Sequence, residues 1–191
     1  MNNYEFYKEK LRNILSKRRF IHSVNVGKLA EKLAIHYGID VNRAKIAGLL
    51  HDVCKEMDEK TMIKLLSEAK PEIYNAFKNF PFKLCHGPAA TVYLRKEFGI
   101  EDEEILDAVC FHTTGGANMT MMEKIVAMAD YSSYERIFAD IKDMEELAMK
   151  NIDKAVFRKC SLGIKTCINK SVLIHPYTVE AYNDILEKEG K

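Results

Sequence analysis

The sequence lacks the cysteine patterns of exported proteins and of thiolate zinc sites. It has no Cys-x-x-Cys pair, and its cysteines are an odd number of five. These absences argue against a disulfide framework and against a zinc site built from thiolates. Free thiols suit a reducing compartment, so we expect a cytoplasmic protein.

Long apolar runs and an excess of charge are also missing. No stretch reaches the about 18 apolar residues of a membrane-spanning helix. The segment MNNYEFYKEKLRN is charged throughout, without the apolar core of a signal peptide. With 29 basic and 28 acidic residues, the formal net charge is +1. We therefore expect no membrane, no export by that route and no nucleic-acid partner, and an anionic ligand would bind in a local pocket.

The pattern of apolar residues is helical from end to end, and no clear alternation indicates a sheet. We predict an all-α fold in one domain over 1–191, with C-terminal helices over 143–188 packed on it. Predicted helices include 18–37, 101–111, 125–138 and 153–170. Gly38 is expected to end one helix, and Asp40, Asp58, Thr120 and Asp143 to cap others. The apolar first and last helices suggest a homodimer.

The central stretch, RAKIAGLLHDVCK, ends its apolar helical face at His51 and Asp52. Ala44, Ala47 and Gly48 leave a surface that another helix can approach closely. An imidazole and a carboxylate side by side are two ligands for a divalent metal, provided other elements supply the rest.

Three further histidines lie at the ends or inner faces of predicted helices: His22, His86 and His112. Each one alone is more often a structural histidine than a ligand. Asp130 is the sharpest oddity, because it lies in the apolar segment KIVAMADYSSY, where a lone carboxylate needs a partner. That partner is either a metal or, alternatively, Arg136 or the start of a neighbouring helix. We leave the other two histidines out of the candidate site. His36 is expected to face solvent, and His175 is expected to lie near a helix cap.

His22, His51, Asp52 and Asp130 can converge on one cation, because they come from three predicted helices. A shell of nitrogen and oxygen ligands suits iron, manganese, nickel, cobalt or zinc better than calcium. It leaves positions for water and substrate.

The order of these residues resembles the HD superfamily of metal-dependent phosphohydrolases, whose fold is a helical bundle. More closely, several motifs within residues 18–136 are similar to those of the YqeK family of bacterial HD hydrolases. They are RRFIHSVNV, GLLHDVCK, CHGPAA, HTTGG, MTMMEKIVAMAD and the later Arg136.

The resemblance implies symmetrical cleavage of diadenosine tetraphosphate to two ADP at an iron centre. It implies that the metal is held by His22, His51, Asp52 and Asp130. His86 and His112 would face the substrate phosphates or a second metal, and Arg136 would clamp a phosphate.

Neighbouring residues suit this chemistry. His86 opens a predicted helix whose free amides favour anions. Thr113 follows His112 and offers a hydroxyl, and Lys55 either reaches phosphate or is solvated. As general base we favour a metal-bound hydroxide held by Asp52 or Asp130, with His86 or His112 protonating the leaving phosphate.

Two other functions stay open on the sequence. One is a nucleotidase or phosphodiesterase acting on other phosphate esters, because the same metal and histidines serve both. The other is a nucleotide-binding module without turnover, for which loss of a ligand residue would be the usual sign.

Overall fold

The computed structural model describes residues 4–132 and 140–189, and in them it contains eleven α-helices and no β-strand. The prediction of an all-α fold is confirmed. None of the described helices combines the length and apolar character needed to cross a membrane. The helices are α1 (Tyr4–Arg12), α2 (Lys17–Tyr37), α3 (Val41–Leu50), α4 (Glu59–Ser67), α5 (Pro71–Phe77), α6 (His86–Tyr93), α7 (Glu103–Phe111), α8 (Met121–Tyr131), α9 (Asp140–Lys150), α10 (Ile152–Asn169) and α11 (Pro176–Glu189).

Several helix boundaries are where local sequence signals predicted them. Gly38 ends α2 in the left-handed conformation, with φ of 68°. The Asp40 carboxylate caps α3 by accepting a hydrogen bond from the Arg43 amide at 2.9 Å. Thr120 and Glu123 form a reciprocal capping box at the start of α8. These signals are reliable because each cap bonds within its own turn.

Other boundaries differ from the prediction. The central helix, α3, stops at Leu50, and residues 51–55 of the central stretch named above form turns instead. Asp143 does not cap a helix, because α9 already begins at Asp140. Helix α8 ends at Tyr131, earlier than expected, and positions 133–138 of the predicted helix lie outside the described residues.

Helices α2 and α3 pack at very short range through small residues. A Cβ atom placed on Gly48 would lie 2.9 Å from the Ala30 Cβ and 3.1 Å from the Val26 carbonyl oxygen. The predicted close approach to the Gly48 face is therefore confirmed. Because His22 lies on α2 and His51 follows α3, this contact brings their rings together.

A second close contact joins α6 and α7. A Cβ atom on Gly87 would lie 2.5 Å from the Cys110 carbonyl oxygen and 2.9 Å from that of Val109. Both neighbours are backbone atoms, so they cannot move aside as a flexible side chain would. The contact sets the distance between His86, the first residue of α6, and His112, which follows α7.

Substituting Gly87→Ala should destabilise the protein, because α6 must move away from α7. We expect about 1–3 kcal/mol of lost unfolding free energy, the usual cost of overpacking, measured by urea denaturation. Gly163→Ala is the matched control, since Gly163 lies in α10 with no atom near the added methyl group. It should be neutral or slightly stabilising. Equal stability of the two variants would contradict the assigned contact.

Candidate metal centre

Six side chains from five parts of the fold meet in one buried cluster. His22 lies on α2, His51 and Asp52 follow α3, and Asp130 lies in the last turn of α8. His86 opens α6, and His112 follows α7. Five of these six residues are buried, and the side chain of the sixth, Asp130, is 14% exposed. The sequence analysis named these four histidines and two aspartates as candidate metal ligands or phosphate contacts. All six lie among the described residues, and the structure brings them together.

His22, His51, Asp52 and Asp130 form the first half of the cluster. The Nε2 atoms of His22 and His51 are 3.3 Å apart. Asp130 Oδ1 lies 3.3 Å from His22 Nε2 and 3.6 Å from His51 Nε2. Asp52 Oδ2 lies 3.7 Å and 3.4 Å from the same two nitrogens. One oxygen from each carboxylate thus lies within 3.7 Å of both nitrogens.

Asp52 links this half to the second half of the cluster. Its Oδ1 atom lies 3.2 Å from His86 Nε2 and 3.8 Å from His112 Nε2. Those two nitrogens are 3.0 Å apart. The two oxygens of one carboxylate therefore serve two adjoining groups of imidazoles.

The backbone fixes which nitrogen of three of these rings carries a proton. Nδ1 of each ring donates to the carbonyl three residues earlier: His51 to Gly48 at 2.8 Å, His86 to Lys83 at 2.9 Å and His112 to Val109 at 2.7 Å. A carbonyl only accepts, so each Nδ1 must be protonated. In the neutral ring, Nε2 then points a lone pair into the cluster, which is the state a metal ligand needs.

The two carboxylates create a strong demand for positive charge. Burial alone would raise the pKa of Asp52 and Asp130, yet interactions with the surrounding histidines hold both well below the usual range. Burial opposes a charge on His51, but the neighbouring acids outweigh it and raise the His51 pKa to about 10. In the protein alone, a proton on His51 supplies the missing positive charge.

The rings of the second half stay neutral. Burial lowers the pKa of His86, and burial together with charge on the neighbouring histidines lowers that of His112 well below its usual value. Lys55 Nζ lies 3.0 Å from His86 Nε2, and the Thr113 hydroxyl lies 3.0 Å from His112 Nε2. Both predicted neighbours are therefore at the cluster.

The donor set fits a divalent cation. Asp52 Oδ1 is buried and has no hydrogen-bond partner among the described residues, an expensive state for a carboxylate oxygen. Two groups of three possible ligand atoms lie mutually within 4.8 Å: His22, His51 and Asp130, and then His51, Asp52 and His112. A cation beside Asp52 Oδ1 would satisfy the orphaned oxygen, and one between His22, His51 and Asp130 would bind the atoms of the first group.

Two of the candidate ligands are contacts of Asp130. The carboxylate faces His22 and His51. Arg136, the other predicted partner, lies outside the described residues. A carboxylate facing two imidazoles is the arrangement expected of a ligand.

Arg19 is a site residue that the sequence analysis missed. Its Nη1 donates to Asp52 Oδ2 at 2.6 Å. The available signal was its position three residues before His22, which places both on one face of α2.

Lys159 was missed as well. From α10, its ammonium group donates to the carbonyls of His112 and Thr113, both at 3.0 Å. These carbonyls lie just beyond the end of α7, where a cation is favoured by the helix dipole. No local pattern in α10 points to this contact, because its partners lie 46 and 47 positions away.

Comparison with known proteins identifies the family of this chain. The family model described as HD domain matches residues 19–135. A relative from Halalkalibacterium halodurans, named symmetrical bis(5'-nucleosyl)-tetraphosphatase, is 34% identical over 90% of this chain and 91% of its own. A relative of the same name from Staphylococcus aureus is 31% identical over 95% and 93%.

A solved structure shows the same fold. It is described as an HD superfamily hydrolase involved in NAD metabolism from Clostridium acetobutylicum, and it superposes with a TM-score of 0.88 at 33% identity, covering 97% of each chain. Together with the shared motifs, these matches show that the chain belongs to the HD domain family, and within it to the YqeK family of metal-dependent hydrolases.

Proposed function

We propose that this protein hydrolyses diadenosine tetraphosphate symmetrically, giving two ADP. The observation that carries the proposal is the buried centre of four histidines and two aspartates, joined at its edge by Lys55 and Arg19. Relatives that match at least nine tenths of the chain carry the name of this activity.

In this proposal a divalent metal, and specifically iron, is held by His22, His51, Asp52 and Asp130. Manganese, cobalt, nickel or zinc would suit the same mixed ligands. When bound, such an ion lowers the pKa of a water molecule toward neutrality and draws charge from phosphoryl oxygens. Asp52 and Asp130 would hold and orient the attacking water beside the ion, and the Gly48 carbonyl keeps the His51 ring in place.

The phosphate chain lies against Lys55 and Thr113 at the edge of the cluster. Lys55 Nζ is 3.6 Å from Asp52 Oδ1, so an ammonium group stands beside the reacting centre. The amides at the start of α6, next to His86, favour anions as well. Arg136 is proposed as a further phosphate clamp, although it lies outside the described residues.

His86 and His112 contact the leaving phosphate or, if a second metal binds, share it with Asp52. Because their pKa values are lowered, either ring rarely carries the second proton that it would have to donate. The leaving group is ADP, and a terminal phosphate has a second pKa of only about 6. We therefore expect the positive charge of Lys55 to stabilise the leaving phosphate more than protonation by either histidine would.

The setting of the enzyme also belongs to the proposal. We propose one domain over 1–191, a cytoplasmic location, no nucleic-acid partner and a homodimer through the first and last helices. The side chains of Phe6 on α1 and Leu186 on α11 are 61% and 41% exposed, which supports such an association. Light scattering on the purified protein measures the oligomeric state.

The product pattern tests the activity. The protein, loaded with iron or manganese, should convert diadenosine tetraphosphate to ADP as the sole nucleotide product, because the cut falls in the middle of the chain. Anion-exchange chromatography of the products measures this. ATP together with AMP would contradict symmetrical cleavage.

A substrate panel separates the alternatives. It includes NAD, because the solved neighbour is described as involved in NAD metabolism and NAD contains a phosphoanhydride. It also includes nucleoside monophosphates and a phosphodiester, as substrates of the other HD hydrolases considered above. Binding of ADP without turnover with any of iron, manganese, cobalt or nickel would favour the non-catalytic nucleotide-binding module.

Removing either carboxylate should remove metal and activity together. We expect Asp130→Ala and Asp52→Ala to lower bound metal at least about tenfold, because even residues around metal ligands are worth 10–100-fold in affinity. Elemental analysis measures the metal, and the ADP assay measures activity. Asp107→Ala is the control, since this exposed acid of α7 lies outside the cluster. Normal metal content in Asp130→Ala would remove Asp130 from the ligand set.

A further inference from the structure

Arg19 lies at the edge of the centre, on the side of Asp52 opposite Lys55. Its Nη1 contacts Asp52 Oδ2, whereas Lys55 approaches Oδ1. The side chains of Arg19 and Lys55 are each 32% exposed, but that of Asp52 is 3% exposed. Each cation thus extends from the buried carboxylate toward solvent, one on either side.

The guanidinium has hydrogen-bonding capacity to spare. It carries five N–H donors. Its contact with Asp52 is the one hydrogen bond that its side chain makes within residues 4–132 and 140–189. The remaining donors are therefore available to a ligand that enters from the exposed side.

The start of α2 is an unfavourable place for basic side chains, and for Arg19 the Asp52 carboxylate offsets this. Residues 17–19 place three basic side chains in the first turn of α2, which contains no acid. The helix dipole favours acids there, so a basic side chain at this position is locally unfavourable.

The start of α2, which carries Arg19, is nevertheless held beside Asp52. The amide and hydroxyl of Ser16, the helix cap, donate to the Glu56 carboxylate at 2.8 Å and 2.7 Å. The start of α2 is thereby tied to the turn that follows Asp52, which keeps Arg19 at the centre. A locally unfavourable charge that the fold holds in place is typical of a functional site.

On the basis of the proposed function, we propose that Arg19 binds the phosphate chain of one ADP half, while Lys55 serves the other half. A symmetrical dinucleotide has the same phosphates on both sides of the cut, so one cation on each side of Asp52 matches it. If the metal ion bound by Asp52 also binds a phosphate oxygen, that oxygen lies next to the Asp52 carboxylate. It then also lies close to Arg19, which contacts the same carboxylate. The planar guanidinium can then bind phosphate through two parallel hydrogen bonds.

The competing role for Arg19 is to hold Asp52 in position. In that case its loss would weaken metal binding, and ADP binding would fall only as far as metal was lost. A phosphate-binding role predicts lower affinity for ADP at unchanged metal content. It also predicts a smaller change for AMP, which has one phosphate fewer.

Isothermal titration of the manganese-loaded full-length protein with ADP and with AMP tests this. We expect Arg19→Gln to bind ADP about tenfold more weakly, as for a lost hydrogen bond to a charged group, with normal manganese content. KM for diadenosine tetraphosphate should rise more than kcat falls. Arg19→Lys keeps the charge and loses the fork, so it should recover part of the ADP affinity. Arg18→Gln is the control, because the neighbouring Arg18 is exposed and should bind both nucleotides normally.

Each result bears on the assignment. Unchanged ADP affinity in Arg19→Gln, or a loss explained wholly by lost manganese, overturns it. If Arg19→Gln does not fold, the same comparison is made with Arg19→Lys, for which ADP affinity equal to wild type overturns the assignment. Weaker ADP binding in a protein whose wild type fails to cleave diadenosine tetraphosphate would support Arg19 and reject the proposed activity.

Discussion

Two carboxylates buried among four imidazoles are the constraint on which the structure depends. Taking a charge out of water costs several kcal/mol unless a partner compensates it. Here the Nδ1 protons of three rings are bonded to backbone carbonyls, so their Nε2 lone pairs face the carboxylates. Burial opposes a charge on His51, yet the neighbouring acids raise its pKa to about 10, so this ring carries positive charge in the absence of a metal. A divalent cation in the first half of the cluster would meet the same demand, and Asp52 Oδ1 stays available to the second half.

The helices are arranged to meet this constraint. His51 and His112 directly follow helices, and His86 begins one, so short side chains reach a common point from different directions. Gly48 and Gly87 allow the neighbouring backbones to come close enough for those side chains to meet. On the far side, Lys159 of α10 bonds the carbonyls that follow α7. The C-terminal helices thus help to shape the site.

The sequence predicted what depends on local interactions or on a strong pattern. Caps such as Asp40 and Thr120 act within one helical turn, so their effect can be read from neighbouring residues. The candidate ligands could be named because a histidine or acid on an apolar helix face needs an explanation. Arg19 and Lys159 were missed because a basic residue on a helix usually faces solvent. Their importance comes from partners 33 and 47 positions away, which only the packing of helices reveals.

The charge distribution also bears on the kind of bond that the centre would break. An ester leaves an alcohol, which needs a proton because its pKa is high, whereas an anhydride between phosphates leaves an anion that is stable near neutral pH. His86 and His112 have lowered pKa values and hold protons weakly. Lys55 and Arg19 bring permanent positive charge to the two oxygens of Asp52. A site rich in fixed positive charge and poor in acidic protons suits a phosphoanhydride better than an ester, which favours a dinucleoside polyphosphate over a phosphodiester as substrate.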